Sequence, residues 1–244
     1  MPFSRRIESR EYAHDRLGER FRHALSDYDT RRRVETLIDD FLPDSAVRGK
    51  SALDVGCGLG FLSERLKARG ALVTACDLGP SLVAHTAAYV GCPAVVADAL
   101  RLTETSPPNS FDVVVSSECI EHTPDPDGAI REMAAVLKPG GLLAVSTPNV
   151  LWRPTVRLAD WLRVRPFQAY ENFSSWSRLR RSLRAAQIDV LREAGIHLIP
   201  FQLRLEGLSR WLDSRAQWAR PLMINLCILG RKGSPRCRRS LVRP

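Results

Sequence analysis

The run Leu53-Asp54-Val55-Gly56-Cys57-Gly58-Leu59-Gly60 constrains the fold of this chain more than any other feature. Ala52 to Val55 reads as a short buried strand. Phe61 to Arg69 reads as a helix with Gly70 just past its end. Three glycines between a strand and a helix mark a turn that approaches something closely, because glycine adopts conformations barred to other residues and presents no side chain. The helix that follows offers backbone N–H groups with no intrahelical partner. The spacing is G-x-G-x-G, with an acid, Asp54, two residues ahead. A dinucleotide fingerprint would read G-x-G-x-x-G, and a phosphate-gripping P-loop would need a lysine that is missing here.

Beyond that turn, short apolar runs alternate with helical stretches. Leu72 to Asp77, Ala94 to Asp98, Phe111 to Ser116 and Leu142 to Ser146 read as strands. Ser81 to Val90 and Asp127 to Leu137 read as helices, the second stopped by Lys138-Pro139-Gly140-Gly141. Apolar strand centres alternating with helices predict an α/β fold, a mostly parallel Rossmann-like sheet with helices on both faces. Residues 148–176 break the alternation with Trp152, Trp161, Phe167, Tyr170, Phe173 and Trp176 among several arginines, and read as a helical lid. A long helix is expected next, with Leu179, Leu183, Ala186, Val190, Leu191 and Ala194 on one face and Gly195 as its stop. Ile196 to Phe201 is expected as a sixth strand, a helix then holds Leu205, Leu208 and Leu212, and Met223 to Gly230 closes the sheet. The organisation expected is an N-terminal helical segment over 1–50, a main domain over 51–232 carrying the lid, and a basic tail over 233–244.

Composition narrows the class. With 44% apolar and 26% charged residues the chain is neither collagen, coiled coil nor disordered. Met223 to Leu229 is far short of the roughly 20 apolar residues of a membrane span. No secretory h-region follows Met1. The net charge is +9, and the segment Arg231 to Pro244 supplies much of it, with six basic residues and no acid. The six cysteines form no C-x-x-C pair and read as free thiols of a cytoplasmic protein.

Two acids extend the first signal. Asp77 ends the second strand, about 20 residues past the glycines, where a carboxylate can accept from both hydroxyls of a ribose. Asp98 ends the third strand, within reach of an adenine amino group. With Asp54-Val55-Gly56-Cys57-Gly58-Leu59-Gly60, Phe111-Asp112-Val113-Val114 and Leu137-Lys138-Pro139-Gly140-Gly141, these acids give a pattern that resembles the class I S-adenosylmethionine-dependent methyltransferases over residues 50–150. The run Ser117 to Pro126 and Ser146-Thr147-Pro148-Asn149 are similar to the branch holding ubiquinone-pathway O-methyltransferases and bacterial secondary-metabolite methyltransferases. The resemblance implies a seven-stranded sheet whose last strand is antiparallel, and S-adenosylmethionine as cofactor. It implies that Gly56, Cys57, Gly58 and Gly60 cradle the methionine end with Asp54 behind them. Asp77 and Leu78 would take the ribose, Asp98 and Ala99 the adenine. Glu118 would lie beside the sulfonium and the acceptor.

Three readings of Glu118-x-x-Glu121-His122 stay open. His122 is a general base; or the three side chains hold a divalent cation that acidifies an acceptor hydroxyl; or Glu121 and His122 only brace the loop and positioning does the chemistry. Trp152, Tyr170, Glu171, Asn172 and Trp176 are the candidate contacts for a small-molecule acceptor. Interleaved tryptophan and arginine from Trp152 to Arg165 also suit a peripheral membrane contact. Tyr12, His14, Phe21 and Tyr28 are expected near the cofactor, while His23 and His197 read as structural. The chain lacks the Asp/Asn-Pro-Pro-Tyr and Pro-Cys motifs of base-modifying methyltransferases, so a nucleic-acid acceptor rests on the basic tail alone. The expected role is methyl transfer to an oxygen or nitrogen of a small molecule in secondary metabolism. Alternatives are a quinone-pathway O-methyltransferase at a membrane surface, a nucleic-acid or protein methyltransferase, and a non-catalytic cofactor-binding partner. Nothing in the sequence bears on the oligomeric state.

Overall fold

A computed structural model describes residues 27–161, 171–203 and 205–233 of the chain. Seven strands form one sheet in the order β3-β2-β1-β4-β5-β7-β6. They are β1 (Ser51–Val55), β2 (Leu72–Asp77), β3 (Ala94–Val96), β4 (Phe111–Ser117), β5 (Leu137–Pro148), β6 (Ile188–Ile196) and β7 (Asn225–Lys232). β1 to β5 pair in parallel, while β7 is antiparallel to both β5 and β6. Six strands therefore point one way and β7 the other, as the resemblance implies.

Alternation along the central strands explains the layering. Leu53, Val55, Val114, Leu143 and Val145 face one apolar cluster, and Ala52, Val113, Val115, Leu142 and Ala144 face a second. Because both faces are apolar, both must be covered. The first is covered by helices Pro126–Val136 and Trp176–Ala185, through Ile130, Met133, Leu179 and Leu183. The second is covered by Leu37, Ile38 and Phe41 after helix α1 (Asp27–Val34), and by Leu62 and Leu66 of α2 (Phe61–Ala68). The next helix, α3 (Pro80–Val90), begins one residue before the expected Ser81, with Gly79 rather than a serine hydroxyl at its cap. In chain order the later long helices are α4 (Pro126–Val136), α5 (Arg153–Trp161), α6 (Trp176–Ala185) and α7 (Glu206–Arg215).

The expected helix through Ala194 is corrected. α6 stops at Ala185, Gln187 turns left-handed (φ 61°), and Ile188–Ile196 is strand β6. A non-glycine residue ends the helix, so the sequence shows no stop there. Val190, Leu191 and Ala194 match a helical spacing by coincidence, and the strand they lie on is an edge with Val190 and Leu191 exposed. Leu191 falls in an irregularity of the pairing with β7, which blurs the strand's alternation further. The expected strand from Ile196 to Phe201 is accordingly only the end of β6, and Phe201–Leu203 is a 3-10 turn. β5 in turn begins before its expected start, since Leu137 already pairs with Phe111 and the Pro139-Gly140-Gly141 stretch is absorbed as a register shift. Of the basic tail, Arg231 and Lys232 belong to β7, where Lys232 Nζ donates to the Leu137 carbonyl at 2.6 Å. The segment after Gly233, most of the N-terminal segment (with Tyr12, His14, Phe21 and His23) and Tyr170 of the lid lie outside the described residues.

Candidate active site

The chain runs from β1 outward to β2 and β3, then returns to place β4 on the other side of β1. The carboxyl ends of β1 and β4 therefore flank the point where the order reverses, the place where open α/β sheets bind ligands. The glycine turn sits there. Gly56 and Cys57 donate to the Cys76 carbonyl at 2.9 and 3.0 Å, which ties the turn to β2. Gly56 (φ 73°) has the Cys119 side chain against it, so a Cβ at Gly56 would lie 2.5 Å from the sulfur. Gly60 (φ 87°) caps α2.

Each acid has a structural job at this rim. Asp54 is 1% exposed and accepts from the Ser63 hydroxyl at 2.6 Å, locking the strand to the first turn of α2. Asp77 accepts from the Gly58 N–H with one oxygen and the Gly79 N–H with the other, both at 3.0 Å. Thr86 of α3 donates to the Gly58 carbonyl at 2.9 Å, a brace that spacing alone gave no reason to single out. Leu78 follows Asp77 and is half-buried. Asp98 lies two residues beyond β3 and accepts from the Leu100 N–H at 2.8 Å, with Ala99 half-buried between them. Pairing of Asp77 with Val96 keeps the two acids on neighbouring strand ends.

The other wall follows β4. Glu118 is a non-glycine residue at φ 51°, a strained conformation of the kind that gathers at functional sites. Its Oε1 accepts from the Ser146 hydroxyl at 2.9 Å. Burial pushes its carboxyl up, opposed by Arg33. Glu121 is 1% exposed and accepts from Thr147 at 3.2 Å. Burial and then the neighbouring Glu118 push it well above the carboxylate range. His122 faces it, with Nε2 4.0 Å from the Glu121 carboxylate, and is partly exposed. Among the described residues, no group of three or more His, Cys, Asp or Glu side chains is arranged to hold a metal ion.

Of the acceptor candidates, Asn172 adjoins this wall. Its amide donates to the Thr123 carbonyl at 2.8 Å, and its N–H to the Glu121 carbonyl at 2.8 Å. Glu171 precedes it, half-buried. Trp152 donates from its indole to the Leu222 carbonyl at 3.0 Å, against the 3-10 turn Gln217–Leu222. Trp176, the last of the acceptor candidates, opens α6. It is 8% exposed, belongs to the main core and donates to the Arg220 carbonyl. Its position at the start of α6 turns the ring inward with Leu179 and Leu183.

A methyltransferase-domain profile matches residues 53–145, the stretch from the glycine turn through β5. A ubiquinone biosynthesis O-methyltransferase of Xanthomonas campestris pv. campestris (strain B100) is 36% identical over 175 residues, covering 68% of this chain and 73% of that protein. The chain belongs to the S-adenosylmethionine-dependent methyltransferases. Solved structures agree on the fold. An S-adenosylmethionine-dependent methyltransferase from Mesorhizobium loti aligns over 82% of this chain and 98% of its own, at 22% identity and a TM-score of 0.64. Magnesium protoporphyrin IX methyltransferase from Synechocystis, bound to SAH, aligns over 93% of this chain and all of its own, at 15% identity and a TM-score of 0.68.

The methyltransferase's cofactor is S-adenosylmethionine, and the residues present suit it. Gly56, Gly58 and Gly60 put no side chains on the turn at the end of β1, which leaves backbone there for a ligand's polar end to meet. Asp77 and Asp98 are carboxylates near neighbouring strand ends, and each oxygen can accept more than one hydrogen bond, which suits hydroxyl and amino donors. Cys57 supplies backbone only, since its thiol is buried and pushed far up by that burial.

Asp54 makes a measurable prediction about the methyltransferase without its cofactor. Burial lifts its folded-state pKa to about 6 from 3.8. The folded form thus holds a proton that the unfolded chain releases between those values, and stability falls as pH rises through that window. Two units correspond to about 3 kcal/mol. Urea midpoints of the parent chain and Asp54→Asn across pH 4 to 7 should show the decline weakened in the variant. Parallel curves would place the titration elsewhere.

Sequence reading missed the roles of Arg33, Ser117, Ser146 and Asn225, which gather around Glu118 from four elements, α1, β4, β5 and β7. Asp29 and Arg33, four apart on α1, carry the pattern of a solvated helix pair, so only the tertiary fold shows that they are buried.

Proposed function

We propose that this methyltransferase methylates a hydroxyl oxygen on a small aromatic molecule of the quinone-precursor kind, with His122 as the proton acceptor. The observation that carries the reading is the wall after β4, where Glu121 and His122 stand beside Asn172 of the lid. The O-methyltransferase relative of X. campestris supports oxygen over nitrogen as the target. When bound, S-adenosylmethionine supplies a methyl group already activated by its positive sulfur. The chain's residues then have two tasks. Lid and wall orient the acceptor hydroxyl in line, a contribution worth up to about 7–11 kcal/mol in favourable cases. His122 accepts the hydroxyl proton at a ring nitrogen, with the buried Glu121 carboxyl 4.0 Å from its Nε2 on the side away from solvent.

Two measurements test this. The chain is incubated with methyl-labelled S-adenosylmethionine, the catechol 3,4-dihydroxybenzoate as probe, and a whole extract of its own cells that keeps nucleic acid and protein as well as small molecules. Label should enter an alkali-stable aryl ether in the extractable fraction; label in RNA, DNA or protein would overturn the acceptor class. His122→Gln should lower kcat about 100-fold with cofactor affinity unchanged. Loss of activity in EDTA, restored by Mg2+, would favour instead a cation on Glu118, Glu121 and His122.

A second observation favours a peripheral membrane contact. Leu151, Leu158 and Trp161 are 57%, 54% and 77% exposed along the turn and helix that also carry Arg153 and Arg157. Among the described residues no helix is long and apolar enough to cross a membrane, so such contact would be superficial. Flotation with anionic liposomes should lift the protein, and a protein that stays at the bottom would end this reading.

A further inference from the structure

We infer that Arg33, reaching in from the N-terminal helix, is a positioning residue that fixes the Glu118 carboxylate at the sulfonium end of the cofactor site through Ser117 and Ser146. The inference rests on the reading that Glu118 faces that end.

The chain of contacts is continuous. Arg33 Nη1 donates to Ser117 Oγ at 3.0 Å. Ser117 Oγ and Ser146 Oγ are 3.0 Å apart. Ser146 Oγ donates to Glu118 Oε1 at 2.9 Å. The proton positions follow by elimination. A guanidinium has only donors and a carboxylate only acceptors. Ser146 spends its single hydrogen on Glu118, so the hydrogen between the two serines is that of Ser117. Every hydroxyl thus points from Arg33 toward Glu118. Reversing any one of them would leave two donors or two acceptors facing each other.

Arg33 is itself anchored, which makes the relay a support rather than a passing contact. It is 8% exposed; Asp29 accepts from its Nε at 3.1 Å, the same carboxylate oxygen lies 2.9 Å from its Nη2 as an ion pair, and Thr30 accepts from that Nη2 at 3.4 Å. The other Asp29 oxygen lies 3.0 Å from His197 Nε2. His197 is fully buried at φ 64°, with Asp213 accepting from its N–H and that of Leu198, both at 2.9 Å. Glu118 is therefore tied through α1 to the end of β6 and to α7. Charge–charge attraction also links Arg33 directly to Glu118, and the Asn225 side chain of β7 lies close enough to Glu118 to favour its charged form.

Such a support has a function to serve. Glu118 sits on a strained backbone at the end of a strand, and its side chain would otherwise choose among rotamers. A carboxylate held toward the positive sulfur favours S-adenosylmethionine over the neutral product SAH. A mobile carboxylate loses that preference without altering the contacts both ligands share.

The test is the ratio of dissociation constants for SAH and S-adenosylmethionine, measured by calorimetry, which needs no acceptor. Glu118→Gln comes first and should lower the preference for the charged ligand three- to tenfold. An unchanged ratio there would sink the placement of Glu118 itself. Given that drop, Ser146→Ala, which removes the last bond and no charge, should lower the ratio by a similar factor. Arg33→Met should do the same, and Arg33→Lys should recover part of it. Adding Glu118→Gln to Ser146→Ala should bring no further loss, since neighbours acting through one group are not additive. Equal weakening of both ligands in Ser146→Ala and Arg33→Met would show support of the site in general and overturn the inference. So would an unchanged or increased preference. Should Arg33→Met not fold, Ser146→Ala and Arg33→Lys decide.

Discussion

Asp77→Ala should weaken S-adenosylmethionine binding at least 100-fold, because two losses fall together. The first is a charge-assisted hydrogen bond to the ribose hydroxyls, each such bond being worth about 1.5–3 kcal/mol. The second is internal. Asp77 accepts from Gly58 and Gly79, so the acid that would hold the ligand also holds the glycine turn and the entry to α3 in place. Removing it frees two backbone N–H groups and loosens the cradle. Asp77→Asn separates the effects, since its amide oxygen can still accept one of the two N–H bonds. We expect Asn to recover a minor part of the affinity and most of the thermal stability. Calorimetric titration with S-adenosylmethionine and thermal melts of both variants provide the check. Binding within threefold of the parent chain in Asp77→Ala would remove the acid from the cofactor site.

How much of this was legible beforehand depends on how local the physics is. β1 through β5 were readable because their signals are local: unbroken apolar centres, glycines after the helices, and a turn whose residue types admit few conformations. The positions of Asp54 and Asp77 near the ends of β1 and β2 were readable for the same reason, while Asp98 falls two residues past the end of β3 rather than on it. β6 was not. Its helix ends on Gln187, a residue with no preference for the left-handed turn it makes, and as an edge strand it shows no clean alternation. The support behind Glu118 was hidden for a different reason. Arg33, Ser117, Ser146 and His197 come from four separate stretches, and each in isolation looks like a helix surface, a strand end or a core histidine. Only the strand order, with β5 beside β4 and β7 next beyond it, brings them together. Trp176 was legible in part, since its helical spacing with Leu179 and Leu183 already marks it as a core residue, where the structure places it.

Gly56→Ala should be strongly destabilising for a single added methyl. The added Cβ would lie 2.5 Å from Cys119 Sγ and 2.7 Å from Cys119 Cβ, on a backbone at φ 73° that disfavours any side chain. The left-handed conformation alone costs about 1–2 kcal/mol, and overpacking of this kind typically adds 1–3 kcal/mol. Relief is specific. Cys119→Ala removes the sulfur but leaves the Cβ contact at 2.7 Å, so it should rescue little. Cys119→Gly removes both contacts and leaves only the backbone term. In a double-mutant cycle on urea stability, Gly56→Ala and Cys119→Gly should couple by about 1–2 kcal/mol, with Cys119→Ala giving less than half of that. The consequence reaches the chemistry because Cys119 directly follows Glu118. A turn that pushes Cys119 away moves the carboxylate as well, so Gly56→Ala should lose cofactor affinity in the fraction that still folds, and Cys119→Gly should return part of it. Additive stabilities would mean that the turn yields elsewhere and that the contact between β1 and the wall after β4 is softer than its spacing indicates.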